Sequence, residues 1–409
     1  MVTPANTPMR WPASWKDAAL LELLKGSCVD CLLADASSIA ALESPAKAAG
    51  IAVIDPAAGR SGVAIAKGAW PGVRMARGAG NSAGAGPTGV PWVDSNGWLT
   101  RLTAAMHSGS AVWVDAPPQA GPRIAFGSYL VALADTAAYG GRWIISLDDQ
   151  LAANLAAKRS DALDTWKHIT AAAAFFHERR QWAQWAPEAL VGVVSDFTGK
   201  NEFLGQELLN LLDRAGVHFR IVSKGQAAAA DFKGLRSVIY ADEEPPAAAL
   251  RRDILAFVDA GGLLITAPVW GVVAGKPAAA EHPRFQQTAV GKGAIARAVA
   301  APDDPYELAN DAAVLVSHRY DLVRCWNSGA FASHFTVAPD RKKAVVHLLF
   351  YANRGPDAAS VRIAGRWRSA TYSTVEQPAA SAVEMEAQKD AVEVHLPRVS
   401  QYVAVQLEG

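Results

Sequence analysis

The chain has 409 residues, of which 51% are hydrophobic and 19% charged, a composition that predicts two or three globular domains with large cores. The 39 basic residues balance the 39 acidic ones, so the net charge gives no reason to expect nucleic acid or an anionic membrane as a partner. No apolar run reaches the roughly 18–20 residues of a membrane span, and residues 1–10 do not have the pattern of a signal peptide. The sequence therefore predicts a cytoplasmic protein, or a periplasmic or secreted one if an export signal has been removed.

The first half of the chain alternates between predicted strands and helices, which is typical of βα units and a parallel sheet. Several of the strands end in aspartate. The predicted strands are Cys28–Asp35, Ile51–Asp55, Val63–Ala66, Ala111–Asp115 and Trp143–Ile145. The predicted helices are Trp15–Gly26, Ser37–Ala49, Leu99–His107, Ser128–Tyr139 and Thr165–Trp185. Because chemistry in such folds sits at the carboxyl ends of the strands, we expect these aspartates to gather at one rim.

A long stretch rich in Gly, Ser and Pro, Gly78–Trp98, interrupts this alternation. Long irregular loops in compact domains are usually functional or disordered. This one carries Trp92, Asp94, Asn96 and Trp98, and indole rings beside a carboxylate and an amide would suit the ring face and hydroxyl groups of a sugar. A phosphate loop is disfavoured, because no Gly-Lys-Ser/Thr follows the glycines.

Two further domains follow Pro187. Strands at Leu190–Ser195, Phe219–Val222, Ser237–Tyr240 and Leu263–Ala267, with helices between them, predict a flavodoxin-like, doubly wound domain over residues 188–324. Short alternating strands from Trp326 onward predict a small antiparallel, sandwich-like β-domain over residues 325–409. Residues 1–187 would then form the first domain.

The second half of the sequence resembles that of a known enzyme family. The segments VGVVSDF, ELLNLLDRAGVHFRIV, AFVDAGGLLITAP and GKGAIARAV, followed by AVVHLLFYANR and VHLPRVSQYVAVQLE, resemble the later domains of bacterial β-galactosidases. Those enzymes have a barrel, a glutamine-amidotransferase-like trimerisation domain and a C-terminal β-domain. The resemblance implies a barrel-like first domain, a carbohydrate substrate and a homo-oligomer.

The first half departs from this family. A full (β/α)₈ barrel takes about 250 residues, and fewer than 190 precede the predicted boundary at Pro187, which predicts a reduced or divergent (β/α) barrel. The two catalytic glutamates of the family have no counterpart, because no predicted strand of this half ends in Glu. The amidotransferase nucleophile is also absent, since no Cys occurs between Cys31 and Cys325. The middle domain is therefore expected to be structural or to serve oligomerisation.

The candidate site consists of aspartates. Glycoside hydrolysis needs two carboxyl groups, about 5 Å apart for retention and about 6.5–9.5 Å apart for inversion. We predict that Asp115 pairs with Asp148 or Asp149 as the catalytic residues. The predicted substrate-binding residues are Trp92, Asp94, Asn96, Trp98, Arg74 and Arg142. The alternative for each aspartate is a helix cap or a turn residue.

No metal or cofactor is predicted. The pair Cys28 and Cys31 lacks the second pair of ligands that a structural zinc needs, and the histidines form no H-E-x-x-H motif. Two functions remain open. The first is a glycoside hydrolase-like protein that acts through paired aspartates, and the second is a non-catalytic relative that binds a glycan or serves as an assembly subunit.

Overall fold

The computed structural model describes residues 6–56, 61–74, 76–77, 83–84, 92–119, 121, 123–278, 282–326, 330–352 and 357–409. It confirms the mixed α/β class, with several sheets distributed along the chain. The limits of the three predicted domains remain predictions, and the elements are therefore described below by sheet.

Short parallel strands form the framework of the first part of the chain. Its described strands are β1 (Pro8–Arg10), β2 (Cys31–Leu33), β3 (Ala52–Ile54), β4 (Val63–Lys67), β5 (Gly72–Arg74), β6 (Ala76–Arg77), β7 (Ala83–Gly84), β8 (Trp92–Asp94), β9 (Ala111–Asp115) and β10 (Arg142–Trp143). Strands β1, β2 and β3 pair in parallel in that order, as do β10, β9 and β4. A parallel bridge between Met9 and Ile145 joins the two sets. The strand order is therefore β3-β2-β1-β10-β9-β4.

Helices surround these strands. They are α1 (Ala36–Ala48), α2 (Gly97–Met106), α3 (Phe126–Ala138), α4 (Asp149–Ala156) and α5 (Ser160–Glu178), with 3₁₀ helices at Ala18–Leu24 and Arg180–Gln184. The predicted helix Trp15–Gly26 is thus a 3₁₀ helix, and the predicted helix Thr165–Trp185 changes to 3₁₀ geometry after Glu178. Helix α4 was not predicted, because its N-cap Asp148 and its first residue Asp149 were interpreted as the end of a strand.

Side chains of alternate strand residues fill the space that the six strands enclose. Strands β2, β3 and β9 and the residue that follows β10 contribute to one buried cluster, which consists of Cys31, Leu33, Ile54, Trp113 and Ile144. A strand places successive side chains on opposite faces, so these residues mark the inner face of a small barrel-like array. The cluster is incomplete at β4, where Ile65 is 40% exposed. The array therefore encloses a core but leaves an open flank at this strand.

The second sheet is predominantly parallel. The next strands are β11 (Ala186–Pro187), β12 (Val191–Ser195), β13 (Phe219–Ser223), β14 (Ser237–Tyr240), β15 (Leu263–Thr266), β16 (Lys276–Pro277), β17 (Phe285–Val290) and β18 (Gly293–Ala298). Seven of them form one sheet in the order β13-β12-β14-β15-β18-β17-β16, with β16 and β17 antiparallel at one edge. All residues of β12 are buried, as expected of a central parallel strand covered on both faces.

Three helices flank this sheet, namely α6 (Glu202–Arg214), α7 (Ala248–Asp259) and α8 (Pro305–Val316). Short 3₁₀ helices lie at Gly199–Asn201, Ala229–Phe232, Pro268–Trp270 and His318–Tyr320. Gly216 follows the C-cap of α6 with a φ of +71°, the left-handed conformation in which helices commonly end.

Two antiparallel sheets end the chain. Their strands are β19 (Val323–Cys325), β20 (Phe331–Val337), β21 (Lys343–Phe350), β22 (Asp357–Ala364), β23 (Ser369–Ser373), β24 (Ser381–Ala382), β25 (Glu384–Ala387), β26 (Ala391–Val399) and β27 (Tyr402–Glu408). The orders are β11-β20-β21-β27-β23-β24 and β19-β22-β26-β25. Valines and leucines of both sheets share one core. Strand β11, which precedes the second sheet in the chain, belongs to this later structure.

The final sheets pack directly on the helices of the first part. Phe175 and Phe176 of α5 lie against Tyr402, with ring centroids 5.9 Å and 4.9 Å apart. Leu349 and Ala404 also belong to the cluster that contains the buried faces of α3 and α5. The relative position of the two parts is therefore fixed by an apolar interface.

Candidate functional site

The carboxyl ends of β1, β2, β9 and β10 meet at one rim and surround a pocket of about 220 Å³. Arg10, Asp35, Ser146 and Asp149 line this rim pocket. Arg10 lies two residues after Pro8, and Asp35 lies two residues after Leu33. Because side chains two residues apart in a strand share a face, both extend the inner face to the rim. Two of the strand-end aspartates of the sequence analysis thus lie at one pocket.

An ion pair crosses the rim. The Nη2 atom of Arg10 donates to Oδ2 of Asp115 at 2.6 Å, and the two side chains are 26% and 21% exposed. Among the described residues, Arg10 Nε and Asp115 Oδ1 are buried with no hydrogen-bond partner. Unpaired buried polar atoms are costly and rare. The pair therefore retains one donor and one acceptor for a further partner.

The neighbouring residues Asp148 and Asp149 have different environments. Asp148 is buried and caps α4, with Oδ1 accepting from the Leu151 N–H at 3.0 Å and Oδ2 from the Tyr129 hydroxyl at 3.0 Å. Asp149, the first residue of α4, is exposed and lines the rim pocket. Asp148 is therefore a helix cap, the role that was the alternative to catalysis for each aspartate. Asp149 lies where a ligand could reach it.

The loop residues of the predicted site lie in other surroundings. Asn96 is buried, and its side-chain amide bonds the backbone of Ala69 and Oδ2 of Asp135. Trp98 is half-buried and packs against the core of the second sheet. Asp94 is half-buried at the end of β8. The side chains of Trp92 and Arg74 lie outside the described residues.

Arg142 is separated from the rim. It begins β10, so it lies at the amino end of the parallel strands, whereas the rim pocket lies at their carboxyl ends. Its Nη1 atom donates to the Gly141 carbonyl at 2.8 Å, and burial lowers the pKa of its guanidinium. Arg142 and the rim aspartates therefore do not share one ligand position.

Arg10 was not among the site residues predicted from the sequence. Strand β1 has only three residues and begins with Pro8, so it lacks the apolar run that predicted the other strands. The feature of the sequence that could have indicated a site residue here is the arginine directly followed by Trp11 near the start of the chain. Arg10 is positioned at the rim by the parallel pairing of β1 with β2 and by the hydrogen bond from its N–H to the Ile145 carbonyl at 2.8 Å.

A second polar cluster is buried where the three sheet systems meet. Asp135 of α3 accepts from the Tyr351 hydroxyl at 2.5 Å and from the Asn96 N–H at 2.6 Å, while Asp213 of α6 accepts from the Tyr139 hydroxyl. Burial raises the pKa of Asp135 to about 6 and that of Asp213 to about 7. Such a hydrogen-bonded network specifies how the parts of the chain pack.

Neither a metal cluster nor a membrane helix is found in the described part of the chain. No group of three or more His, Cys, Asp or Glu side chains there could hold a metal ion. None of the described helices has the length and apolar character required to cross a membrane.

Solved structures resemble this fold although their sequences differ. An alpha-L-fucosidase (isoenzyme 2) from Paenibacillus thiaminolyticus matches with a TM-score of 0.53 and 9% identity, over 100% of this chain and 98% of its own. A beta-galactosidase from Bacillus circulans sp. alkalophilus matches with a TM-score of 0.50 and 9% identity, over 77% of this chain and 58% of its own. The chain has the fold of glycoside hydrolases. The resemblance noted in the sequence is thereby confirmed at the level of the fold.

The extent of these matches differs between enzymes. A rhamnosidase from a Novosphingobium species matches with a TM-score of 0.51 and 10% identity, over 85% of this chain and 34% of its own. The chain likewise spans just over half the length of the beta-galactosidases. No family model matches the sequence, and no curated protein matches it significantly.

Proposed function

We propose that this chain is a glycoside hydrolase-like protein that acts on a carbohydrate at the rim pocket, with Asp115 and Asp149 as its paired carboxylates. The observation that carries the proposal is that Asp149, Asp35 and Arg10 line one pocket at the carboxyl ends of parallel strands, where Arg10 is paired with Asp115. Active sites of barrel enzymes lie at this end of the strands. The similar folds of a fucosidase, a rhamnosidase and a beta-galactosidase support a sugar as the ligand.

The chemistry required of the two aspartates differs. One carboxyl group must donate a proton to the leaving oxygen, and the other must attack the sugar or activate a water molecule. Asp149 is exposed at the pocket and is the candidate proton donor. Asp115 is held in position by Arg10 and is the candidate nucleophile or base. Asp148 is left out of the pair, because both of its oxygens already serve the protein.

The second candidate function is that of a non-catalytic protein that binds a glycan or serves as an assembly subunit, and one observation favours it. The ion pair with Arg10 and the cap formed by Asp148 are contacts typical of structural aspartates. A relative that had lost catalysis would keep the pocket and its hydrogen-bonding groups. Assembly into a homo-oligomer, which rests on the family resemblance, fits either function.

The test is glycosidase activity on a panel of aryl-glycosides and oligosaccharides. Asp115→Asn and Asp149→Asn should each lower kcat/KM by about 100-fold or more, because each removes a group that acts in the transition state. Asp164→Asn, an exposed aspartate of α5 outside the rim, is the matched control and should retain activity. Circular dichroism of each variant checks that the fold is intact.

The outcomes separate the two functions. Activity that survives both rim variants would remove the rim pocket from the mechanism. A wild-type protein without activity that binds an oligosaccharide, and loses this binding in Asp149→Asn, would establish the second function. A protein with neither activity nor oligosaccharide binding would contradict both.

A further inference from the structure

A larger cavity lies in the second sheet, away from the rim pocket. After β12 the chain passes through α6 to β13, which lies on one side of β12. The later strands β14, β15 and β18 lie on the other side of β12. The strand order therefore reverses between β12 and β14. In open α/β sheets, ligands bind in the crevice outside the carboxyl ends of the strands at such a reversal.

The crevice at this reversal has a volume of about 390 Å³. Its walls come from the ends of β12, β14, β15 and β18 and from the start of α6. This volume lies within the range of about 300–1,000 Å³ that is typical of small-molecule pockets. We call it the switch-point pocket.

A polar network holds the walls of the switch-point pocket in place. Lys224 Nζ, just after β13, lies 2.6 Å from Asp196 Oδ2, 2.8 Å from Asp242 Oδ2 and 3.6 Å from Glu244 Oε2. The Asn201 amide donates to Asp196 at 3.0 Å and to Glu244 at 3.2 Å. The loops after β12, β13 and β14 are thus tied together, so the pocket is preformed.

The interior of the pocket is mainly apolar. Val193, Leu204, Leu208 and Pro268 line it, and Phe203 stands at its edge with 66% of its surface exposed. An exposed aromatic ring beside an apolar cavity offers a stacking surface to a ligand, including a cationic one.

Negative charge predominates around this apolar interior. Asp242, Glu243 and Asp303 line the pocket together with a single lysine, Lys200. The network behind the wall adds two further carboxylates and one further lysine. The five carboxylates thus face two ammonium groups. The N-terminus of α6 would by itself favour an anion, but the excess of carboxylates opposes one.

We propose that the switch-point pocket binds a small organic cation with an apolar body, its ammonium group between Glu243 and Asp303 and its body against Phe203 and Leu204. Complementary charge at the mouth and apolar contact inside are what such a ligand requires. This inference does not depend on the proposed function, because the rim pocket contributes no residue to it.

The test compares three probes of similar shape that differ in charge: phenethylamine, phenethyl alcohol and phenylacetate. Binding to the full chain is measured by saturation-transfer NMR titration. Phenethylamine should bind about tenfold more tightly than the alcohol, and phenylacetate should not bind, because opposite charge adds to the same apolar contact. Raising the salt from about 0.05 to about 0.5 M should weaken the binding of the amine.

Two sets of variants locate the binding site. Glu243→Gln with Asp303→Asn should reduce the preference for the amine over the alcohol by about tenfold, and Ala301→Trp, at an exposed position lining the pocket, should abolish binding of both. The matched control changes two exposed acids of other helices, Glu43→Gln with Asp164→Asn, and should leave the preference unchanged. Equal affinity for amine and alcohol, stronger binding of phenylacetate, or amine binding that survives Ala301→Trp would each overturn the proposal.

Discussion

Replacing Asp148 with alanine tests whether this aspartate is structural. Its two oxygens accept three hydrogen bonds, from the Leu151 N–H at 3.0 Å, the Tyr129 hydroxyl at 3.0 Å and the Ile124 N–H at 3.3 Å, and the residue is 1% exposed. Asp148→Ala removes the cap of α4 and leaves a buried hydroxyl and a buried N–H without their acceptor. The change should therefore lower the free energy of unfolding and leave the rim pocket's own groups in place.

The expected magnitude follows from these contacts. Loss of a helix cap costs about 1 kcal/mol. A hydrogen bond to a charged group contributes about 1.5–3 kcal/mol, and the Tyr129 hydroxyl loses one such bond. Asp148→Ala should therefore cost about 2.5–4 kcal/mol in the free energy of unfolding. Asp149→Ala is the matched control, since it changes the next residue of the same helix at an exposed position, and it should cost less than about 1 kcal/mol.

The assay is guanidinium unfolding followed by the fluorescence of the 13 tryptophans. A double-mutant cycle with Tyr129→Phe should give a coupling energy of at least about 1 kcal/mol, because the two side chains bond each other directly. A cost below about 1 kcal/mol for Asp148→Ala, or an equal cost for Asp149→Ala, would refute the reasoning. The outcome also decides how lost activity in an Asp148 variant is interpreted.

Three further predictions concern packing, pH and the rim. Gly97→Ala should lower the free energy of unfolding by about 1–3 kcal/mol, because the added Cβ would lie 2.4 Å from the buried ring of Tyr139. Thermal unfolding measures this effect, and an unchanged Tm would contradict the close packing of Gly97 against Tyr139. Burial lowers the pKa of His218 to about 4, so the unfolded state binds a proton below about pH 6.5 and the folded state does not; stability is lost as the pH falls from about 6.5 to 4. Between pH 7 and pH 5, the free energy of unfolding of His218→Gln should therefore fall by about 2 kcal/mol less than that of the wild type, as measured by denaturant unfolding. Equal losses of unfolding free energy in the two proteins would contradict this prediction. Arg10→Met should cost about 1 kcal/mol in unfolding free energy and weaken oligosaccharide binding, measured by calorimetry, whereas binding equal to wild type would remove Arg10 from the site.

The pattern of the sequence predicted much of the framework. Strands β12, β14 and β15 are runs of apolar residues, and burial on both faces leaves such runs few alternatives. The shortest elements were missed, because three residues such as Pro8–Arg10 are too few to show a period.

The candidate site was predictable only in part. The positions of aspartates after strands follow from the sequence, and the general rule for parallel sheets brought Asp35, Asp115 and Asp149 toward one end. The role of each aspartate does not follow, because a cap and a pocket residue have the same local pattern. Asp148 and Asp149 show this, since they are adjacent at the start of α4, yet the first is buried and the second is exposed.

The sequence by itself determined the α/β class, the order of the main strands and helices, and the presence of acids at strand ends, because these depend on local periodicity and turn residues. Only the tertiary structure decided which side chains meet. Arg10 reaches Asp115 across 105 residues because β1 joins the segment after β10 through the Met9–Ile145 bridge. Lys224 binds carboxylates from two loops because β13 and β14 lie on either side of β12. Contacts of this kind depend on strand order and register, which no local pattern contains.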